Sequence, residues 1–121
     1  MIVEDDVLIV RMLVRTFRKL PILIRSASNA QAALEVLEAE KFDVVWSDLN
    51  LGHGGDGVDV LQRARELMPD ALLIIVTGSV DRVGYRPPPN GTQVFAKTAV
   101  DAALDFVREH VDRKSFRPSK P

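Results

Sequence analysis

Cysteine is absent from the 121 residues, which excludes disulfide bonds and zinc sites built on thiolates. Long hydrophobic runs are absent too, because no segment approaches the roughly 18 apolar residues of a membrane span. No signal peptide precedes the first strand-like residues, so we expect a cytoplasmic protein that does not enter a membrane. The formal net charge is only −1, and the sequence suggests no basic stripe along any face. This balance argues against nucleic-acid binding by this domain alone.

The sequence has the composition of one globular domain, with 46 % apolar and 27 % charged residues. Short apolar runs alternate with stretches of helical periodicity, which indicates an α/β domain with a parallel sheet. The predicted strands are 1–3, 22–27, 42–47, 71–77 and 93–96. The predicted helices are 7–20, a segment from Ser28 to about Glu40, 58–68, and one opening at Thr98, with capping boxes formed by Ser28 with Gln31 and Thr98 with Asp101.

Polar side chains stand where these strands end. In the stretch VVWSDLNLG, a buried strand runs directly into Asp48, and Glu4, Asp5 and Asp6 follow the first strand. In a doubly wound sheet these ends meet at one rim, which Thr77 and Lys97 reach from the last two strands. Close carboxylates repel each other, and an all-oxygen cluster suits Mg²⁺. The set indicates phosphoryl transfer to a carboxylate nucleophile.

Four segments then carry a specific resemblance. IVEDD, SDLNL, VTGS and VFAKT resemble the signature segments of bacterial response-regulator receiver domains of the chemotaxis-regulator type. The resemblance covers residues 1–110 in the family's order. It implies a flavodoxin-like, doubly wound sheet of five parallel strands in the order 2-1-3-4-5. It also implies roles for six positions: Asp48 as phosphoryl acceptor, Asp5 as metal ligand, Glu4 as a ligand through water, Asn50 as a ligand through its carbonyl, and Thr77 and Lys97 as holders of the phosphoryl group.

The resemblance implies a signalling role as well. We expect a receiver domain over 1–111, followed by a tail or linker over 112–121. Its phosphoryl donor would be a histidine kinase or a histidine phosphotransfer protein, its cofactor Mg²⁺, and its output partner is not identifiable from the sequence. Such a domain phosphorylates itself and is not a turnover enzyme.

Three features depart from the family. Pro87, Pro88 and Pro89 lie in the short connection from Thr77 to Lys97, so we expect the family's fourth helix to be missing or reduced. Val94 stands where most receivers have the aromatic switch residue. Thr98 replaces the usual proline after the lysine, so we expect a trans bond there, because a cis bond without proline costs about 2.5–4 kcal/mol. With no ring at Val94, we expect phosphorylation to reorder residues 78–91, and partners to recognise that loop beside the fifth strand.

Other interpretations stay open at this point. A pseudo-receiver would keep the fold and bind partners without phosphorylation. An aspartate-nucleophile phosphatase is disfavoured because Asn50 replaces the second acid, and a flavin site because the acidic cluster would repel the cofactor phosphate. Taken singly, Glu4 and Asp6 are as well explained as caps or solvated residues. We interpret the remaining candidates as structural: His53 on the surface, Trp46 in the core, and Asp56 as a cap or loop residue.

Overall fold

The computed structural model describes residues 1–51, 56–78 and 87–115. It contains one sheet of five parallel strands in the order β2-β1-β3-β4-β5, which confirms the predicted fold class. The strands are β1 (Ile2–Val3), β2 (Ser26–Ala27), β3 (Val44–Asp48), β4 (Leu72–Thr77) and β5 (Gln93–Ala96). The helices are α1 (Val7–Phe17), α2 (Ala30–Ala39), α3 (Gly57–Leu67) and α4 (Val100–Ser115). Within the described ranges, no helix is long and apolar enough to cross a membrane.

Two apolar cores lie on the two faces of this sheet. Because successive strand residues point to opposite faces, Val45 faces one core and Trp46 the other. The helices α2 and α3 cover the first core, and α1 and α4 cover the second. In the second core the ring of Phe17 meets the Trp46 indole edge-on, with centroids 5.7 Å apart. The interpretation of Trp46 as a core residue is therefore confirmed.

Several predicted boundaries were wrong by a few residues. The helix α1 ends at Phe17, three residues before the predicted end at 20, and β2 has only two residues instead of 22–27. The helix α2 is capped by Asn29, whose side chain accepts a hydrogen bond from the Ala32 amide, and not by Ser28. Asparagine and serine are equivalent caps, so the sequence pattern did not distinguish two adjacent candidates.

The starts of α1, α3 and α4 also depend on which nearby side chain caps the helix. Asp6 caps α1 because its side chain accepts hydrogen bonds from the amides of Leu8 and Ile9. Asp56 caps α3 in a reciprocal capping box with Asp59, which agrees with the interpretation of Asp56 as a cap or loop residue. The predicted Thr98 cap is wrong, because Thr98 lies inside a 3-10 turn, Lys97–Ala99, that runs directly into α4. Its peptide bond with Lys97 is trans, as predicted.

The connection between β4 and β5 is described only in part. Residues 87–92 are not helical, and Gly91 has a φ of 84°, which favours glycine. Arg65 links this turn to the connection between α3 and β4, because it donates one hydrogen bond to the carbonyl of Asn90 and others to the carbonyls of Pro69 and Ala71. Residues 79–86 lie outside the described residues, so the reduced fourth helix and its loop stay predictions, as does the surface position of His53. The helix α4 continues to Ser115, past the expected domain boundary at 111.

Candidate functional site

The ends of four strands bring the predicted site residues to one edge of the sheet. Val3 pairs with Ser47, so Glu4 and Asp48 follow at neighbouring positions on β1 and β3. Asp48 pairs with Val76, which places Thr77 on the next strand just beyond it. Thr77 pairs with Ala96, and Lys97 follows directly. The parallel register therefore explains how residues 93 positions apart in the chain reach one site.

Asp48 lies at the centre of this edge. Its carboxylate is buried, and Oδ2 lies 3.3 Å from Nζ of Lys97. The backbone amide of Asn50 donates to Oδ1 at 3.4 Å. Partial burial lowers the pKa of Lys97, but the Asp48 charge and its hydrogen bond, with Glu4 and Asp5, outweigh burial and raise that pKa above its usual value. Lys97 is therefore protonated at neutral pH beside the Asp48 carboxylate.

Glu4 is the most perturbed acid of the site. Its side chain is buried, and burial, the hydrogen bond with Asp48 and repulsion by the Asp48 charge together raise its pKa to about 7. Asp5 repels it further, whereas Lys97 partly offsets the increase. Its Oε2 accepts a hydrogen bond from the Asp5 amide at 3.2 Å. Glu4 is therefore part of the acidic cluster and not a solvated residue or a helix cap.

The raised pKa predicts how stability depends on pH. A carboxyl with a folded-state pKa of about 7 against a usual 4.5 binds its proton more tightly when folded, so stability falls as pH rises from about 4.5 to 7. The expected loss for Glu4 is about 3 kcal/mol at most. Urea unfolding in chelator at pH 5 and pH 8 measures this loss, which should be absent in Glu4→Gln.

The quantity to measure is the difference between wild type and Glu4→Gln in how the free energy of unfolding changes with pH. Burial lowers the pKa of the Met1 ammonium to about 5, although the charge of Glu40 partly offsets this decrease. The Met1 ammonium therefore titrates in the same pH range as Glu4, but its contribution to stability changes with pH in the opposite direction. Its contribution is common to both proteins and cancels in the difference. If the stability of wild type and Glu4→Gln depended on pH in the same way, Glu4 would not have the raised pKa.

Three carboxylates can hold a divalent cation here. One oxygen each from Glu4, Asp5 and Asp48 lies within 4.8 Å of the others, with Asp5 exposed to solvent and the other two buried. The donor set is all oxygen, which suits hard divalent cations. Burial, followed by the hydrogen bond with Asp48 and the charges of Asp48 and Asp5, raises the pKa of Glu4, and a bound cation would offset the cost of these charges. The residues therefore fit a divalent metal ion.

Sequence reasoning missed the role of Gly57 at this site. A Cβ built on Gly57 would overlap the carbonyl oxygen of Asp48, and it would stand 3.0 Å from Oγ of Ser47. The start of α3 thus packs directly against the last peptide of β3, and the Gly57 amide donates to the Leu49 carbonyl at 2.8 Å. The available signal was a glycine in the first turn of a helix, where it weakens the helix unless close packing requires it.

A cleft opens beside Asp48 and Lys97. It measures about 170 Å³ and lies between α1 and the start of α4, lined by Glu4, Ile9, Met12, Trp46, Asp48, Val76, Lys97 and Val100. Thr77 is fully buried at the neighbouring strand end. Phe95 does not replace the missing aromatic at Val94, since its ring packs against Phe106 of α4, with centroids 6.0 Å apart.

Comparison with known proteins identifies the family. A family model described as the response regulator receiver domain matches residues 1–85. The chain belongs to this family. Receiver domains are the phosphorylated components of two-component signal transduction and are generally not turnover enzymes, so the predicted receiver role is confirmed.

Individual relatives agree with this assignment. The response regulator protein PilR of Pseudomonas aeruginosa is 32 % identical over 97 % of this chain, which spans only 24 % of PilR. The sporulation initiation phosphotransferase F of Bacillus subtilis is 28 % identical, and the match covers 95 % of this chain and 94 % of that protein. A response regulator from Burkholderia pseudomallei, solved with a phosphorylated aspartic acid, calcium ion and citrate, has a TM-score of 0.68 at 23 % identity, covering 95 % of this chain and 71 % of the other.

Proposed function

We propose that Asp48 accepts a phosphoryl group from a histidine kinase or a histidine phosphotransfer protein, in a Mg²⁺-dependent reaction in the cytoplasm. The observation that carries the proposal is the ion pair of Asp48 with Lys97 inside a cluster of three carboxylates. A pseudo-receiver would not need this costly arrangement. The chain is then a self-phosphorylating switch and not a turnover enzyme.

The chemistry follows from the charges of the site. A carboxylate oxygen of Asp48 attacks the phosphorus of the donor's phosphohistidine, whose imidazole is protonated on its other nitrogen. The phosphorus–nitrogen bond breaks, its electron pair stays on the nitrogen, and neutral imidazole leaves. Lys97 already stands beside Asp48 and can stabilise the charge on the incoming phosphoryl oxygens. Thr77, on the adjacent strand, supplies a hydroxyl for a phosphoryl oxygen. Bound Mg²⁺ would neutralise the carboxylates and the transferred group.

Metal binding is proposed to involve the cluster and one backbone group. Asp5 and Asp48 would bind Mg²⁺ directly, Glu4 through water, and Asn50 through its carbonyl. The Burkholderia pseudomallei response regulator, which has the same fold, was solved with a calcium ion, and this is consistent with divalent ion binding. Magnesium is the expected ion because it keeps several waters and needs only one or two carboxylates.

A magnesium titration tests this site directly. Trp46 lies two residues before Asp48 and lines the same cleft, so Mg²⁺ binding should quench its fluorescence at millimolar concentrations. Asp5→Asn should weaken binding about tenfold, because one charged ligand is lost. Asp70→Asn, in the turn before β4 at the opposite edge of the sheet, should titrate like wild type. Calorimetry without detectable Mg²⁺ binding would contradict the site assignment.

Phosphorylation itself is tested with a small donor. Acetyl phosphate and Mg²⁺ should add one phosphoryl group per chain, and mass spectrometry should locate it on the peptide that contains Asp48. Chelation of the metal should prevent labelling. Labelling on another peptide would show that a residue other than Asp48 accepts the phosphoryl group. If Mg²⁺ binds but no labelling occurs, the pseudo-receiver interpretation is favoured.

A further inference from the structure

The guanidinium of Arg65 joins backbone segments that are separate in the sequence. Arg65 lies in the last turn of α3, and its Nη1 donates to the carbonyls of Pro69 and Ala71 at 2.7 and 2.9 Å. Its Nη2 donates to the carbonyl of Asn90 at 3.2 Å. Among the described residues Arg65 forms no ion pair, so its partners there are backbone carbonyls. A planar, rigid fork of donors suits this task, because it fixes the relative positions of several acceptors at once.

These hydrogen bonds connect the start of β4 with the start of β5. Ala71 directly precedes β4, and Asn90 stands three residues before the first residue of β5. Around Asn90 the chain forms a compact turn, in which the amide and the hydroxyl of Thr92 donate to the Pro89 carbonyl at 3.2 and 2.7 Å. A Cβ built on Gly91 in this turn would lie 3.4 Å from the guanidinium. The guanidinium therefore packs against the turn that leads into β5.

The strand β5 has few other determinants of its register. It is an edge strand of four residues, and its one neighbour in the described sheet is β4. Among the described residues, Phe95 is the one side chain of β5 that packs against a core cluster. The first residue of β5, Gln93, pairs with Ile74, the third residue of β4. Register is weakly specified in a strand with so few buried side chains, so a contact that links the two strand starts helps to hold this pairing.

The register of β5 decides where Lys97 lies, because Lys97 directly follows this strand. A slip of one residue would shift Lys97 by about 3.3 Å along the strand direction and would turn its side chain towards the other face of the sheet. Its Nζ would then lose the contact with Oδ2 of Asp48. The helix α3 touches both sides of this contact, since Gly57 at its start packs against the Asp48 carbonyl and Arg65 near its end holds the turn before β5.

We propose that Arg65 is a positioning residue for phosphoryl transfer, which ties the start of β5 to the start of β4 and so keeps Lys97 beside Asp48. Arg65 acts from the opposite edge of the sheet, because the four residues of β5 span about 13 Å between the turn and Lys97. The inference rests on the proposed function, since Lys97 matters here as the group that stabilises the transferred phosphoryl oxygens. The proposed metal ligands follow β1 and β3 and not β5, so Arg65 should influence transfer without influencing metal binding.

Replacement of Arg65 by methionine tests this role, because methionine is unbranched but has no hydrogen-bond donor. With acetyl phosphate and saturating Mg²⁺, Arg65→Met should be labelled at least about tenfold more slowly than wild type, since a misplacement of about 1 Å can cost about a hundredfold in rate. Its Mg²⁺ affinity should be unchanged. Arg63→Met is the matched control, because Arg63 lies on the same helix and pairs with Glu38 and Glu66 on the surface. It should be labelled at the wild-type rate.

A double-mutant comparison distinguishes the positioning of Lys97 from a general effect on the fold. Lys97→Met should itself slow labelling, and adding Arg65→Met should slow it little further, because the group that Arg65 positions is then absent. Hydrogen exchange of the unphosphorylated, metal-free chain gives a second readout. The amides of residues 93–96 should exchange faster in Arg65→Met, whereas those of β3 should not. Arg65→Lys keeps the charge without the fork of donors, and it serves the same tests if circular dichroism shows that Arg65→Met does not fold.

Three results would overturn the proposal. One is labelling of Arg65→Met at the wild-type rate. Another is an equal loss of rate when Arg65→Met is added to wild type and to Lys97→Met, which would mean that Arg65 acts on the fold as a whole. The third is unchanged exchange of residues 93–96 in Arg65→Met. A wild-type chain that acetyl phosphate does not label would instead contradict the proposed function, and the exchange measurement would still decide whether Arg65 holds β5 in place.

Discussion

Asp48→Asn should abolish phosphoryl labelling by acetyl phosphate in the presence of Mg²⁺. The amide of asparagine is a poor nucleophile, and no other carboxylate of the cluster has an ammonium within ion-pair distance among the described residues. The isosteric amide keeps the shape of the side chain, so the loss would be chemical and not structural. Intact-mass measurement over time, with peptide mapping of any remaining label, gives the result.

The same substitution should stabilise the chain when metal is absent. Asp48 raises the pKa of Glu4 through its hydrogen bond and its charge, so removing that charge relieves a repulsion. Asp70→Asn is the matched control, because it removes one carboxylate far from the site and should change neither labelling nor metal-free stability. Labelling of Asp48→Asn at the wild-type rate would place the acceptor elsewhere.

The sequence predicted which residues meet at one edge of the sheet more accurately than it predicted the boundaries of the elements around them. Asp48 and Lys97 were recognisable because a charge at the end of an apolar strand is unusual, and because a parallel sheet must bring strand ends together. The structure then places these two side chains 3.3 Å apart. Boundary errors arose where local signals compete, as with Ser28 and Asn29, since either residue can cap a helix and tertiary packing decides between them.

Two properties of the site could not be read from residue types. The raised pKa of Glu4 depends on how deeply β1 and β3 bury it beside Asp48, which is a consequence of strand register and packing. The contact of Gly57 with the Asp48 carbonyl depends on where α3 starts relative to β3. Both are relations between elements, whereas patterns along the chain report mainly on one element at a time.

Gly57→Ala should destabilise the fold by about 3 kcal/mol, and it should also weaken Mg²⁺ binding. Helix propensity alone predicts the opposite, because alanine favours a helix over glycine by about 1 kcal/mol. The steric effect decides the sign. The new methyl group would overlap the Asp48 carbonyl oxygen, which already accepts a hydrogen bond from the Ser47 hydroxyl at 2.8 Å. Either α3 or the end of β3 must move. If the end of β3 moves, the proposed metal ligand Asp48 moves with it.

Gly78→Ala is the matched control for this prediction. Gly78 also lies at the edge that holds the site, but among the described residues a Cβ there would meet only Cδ of Lys97, at 3.9 Å, which is an ordinary contact. Its stability should therefore stay within about 0.5 kcal/mol of wild type. Urea unfolding followed by Trp46 fluorescence measures both variants. A Gly57→Ala protein as stable as Gly78→Ala, with normal Mg²⁺ affinity, would mean that α3 does not need to approach β3 so closely for the site to form.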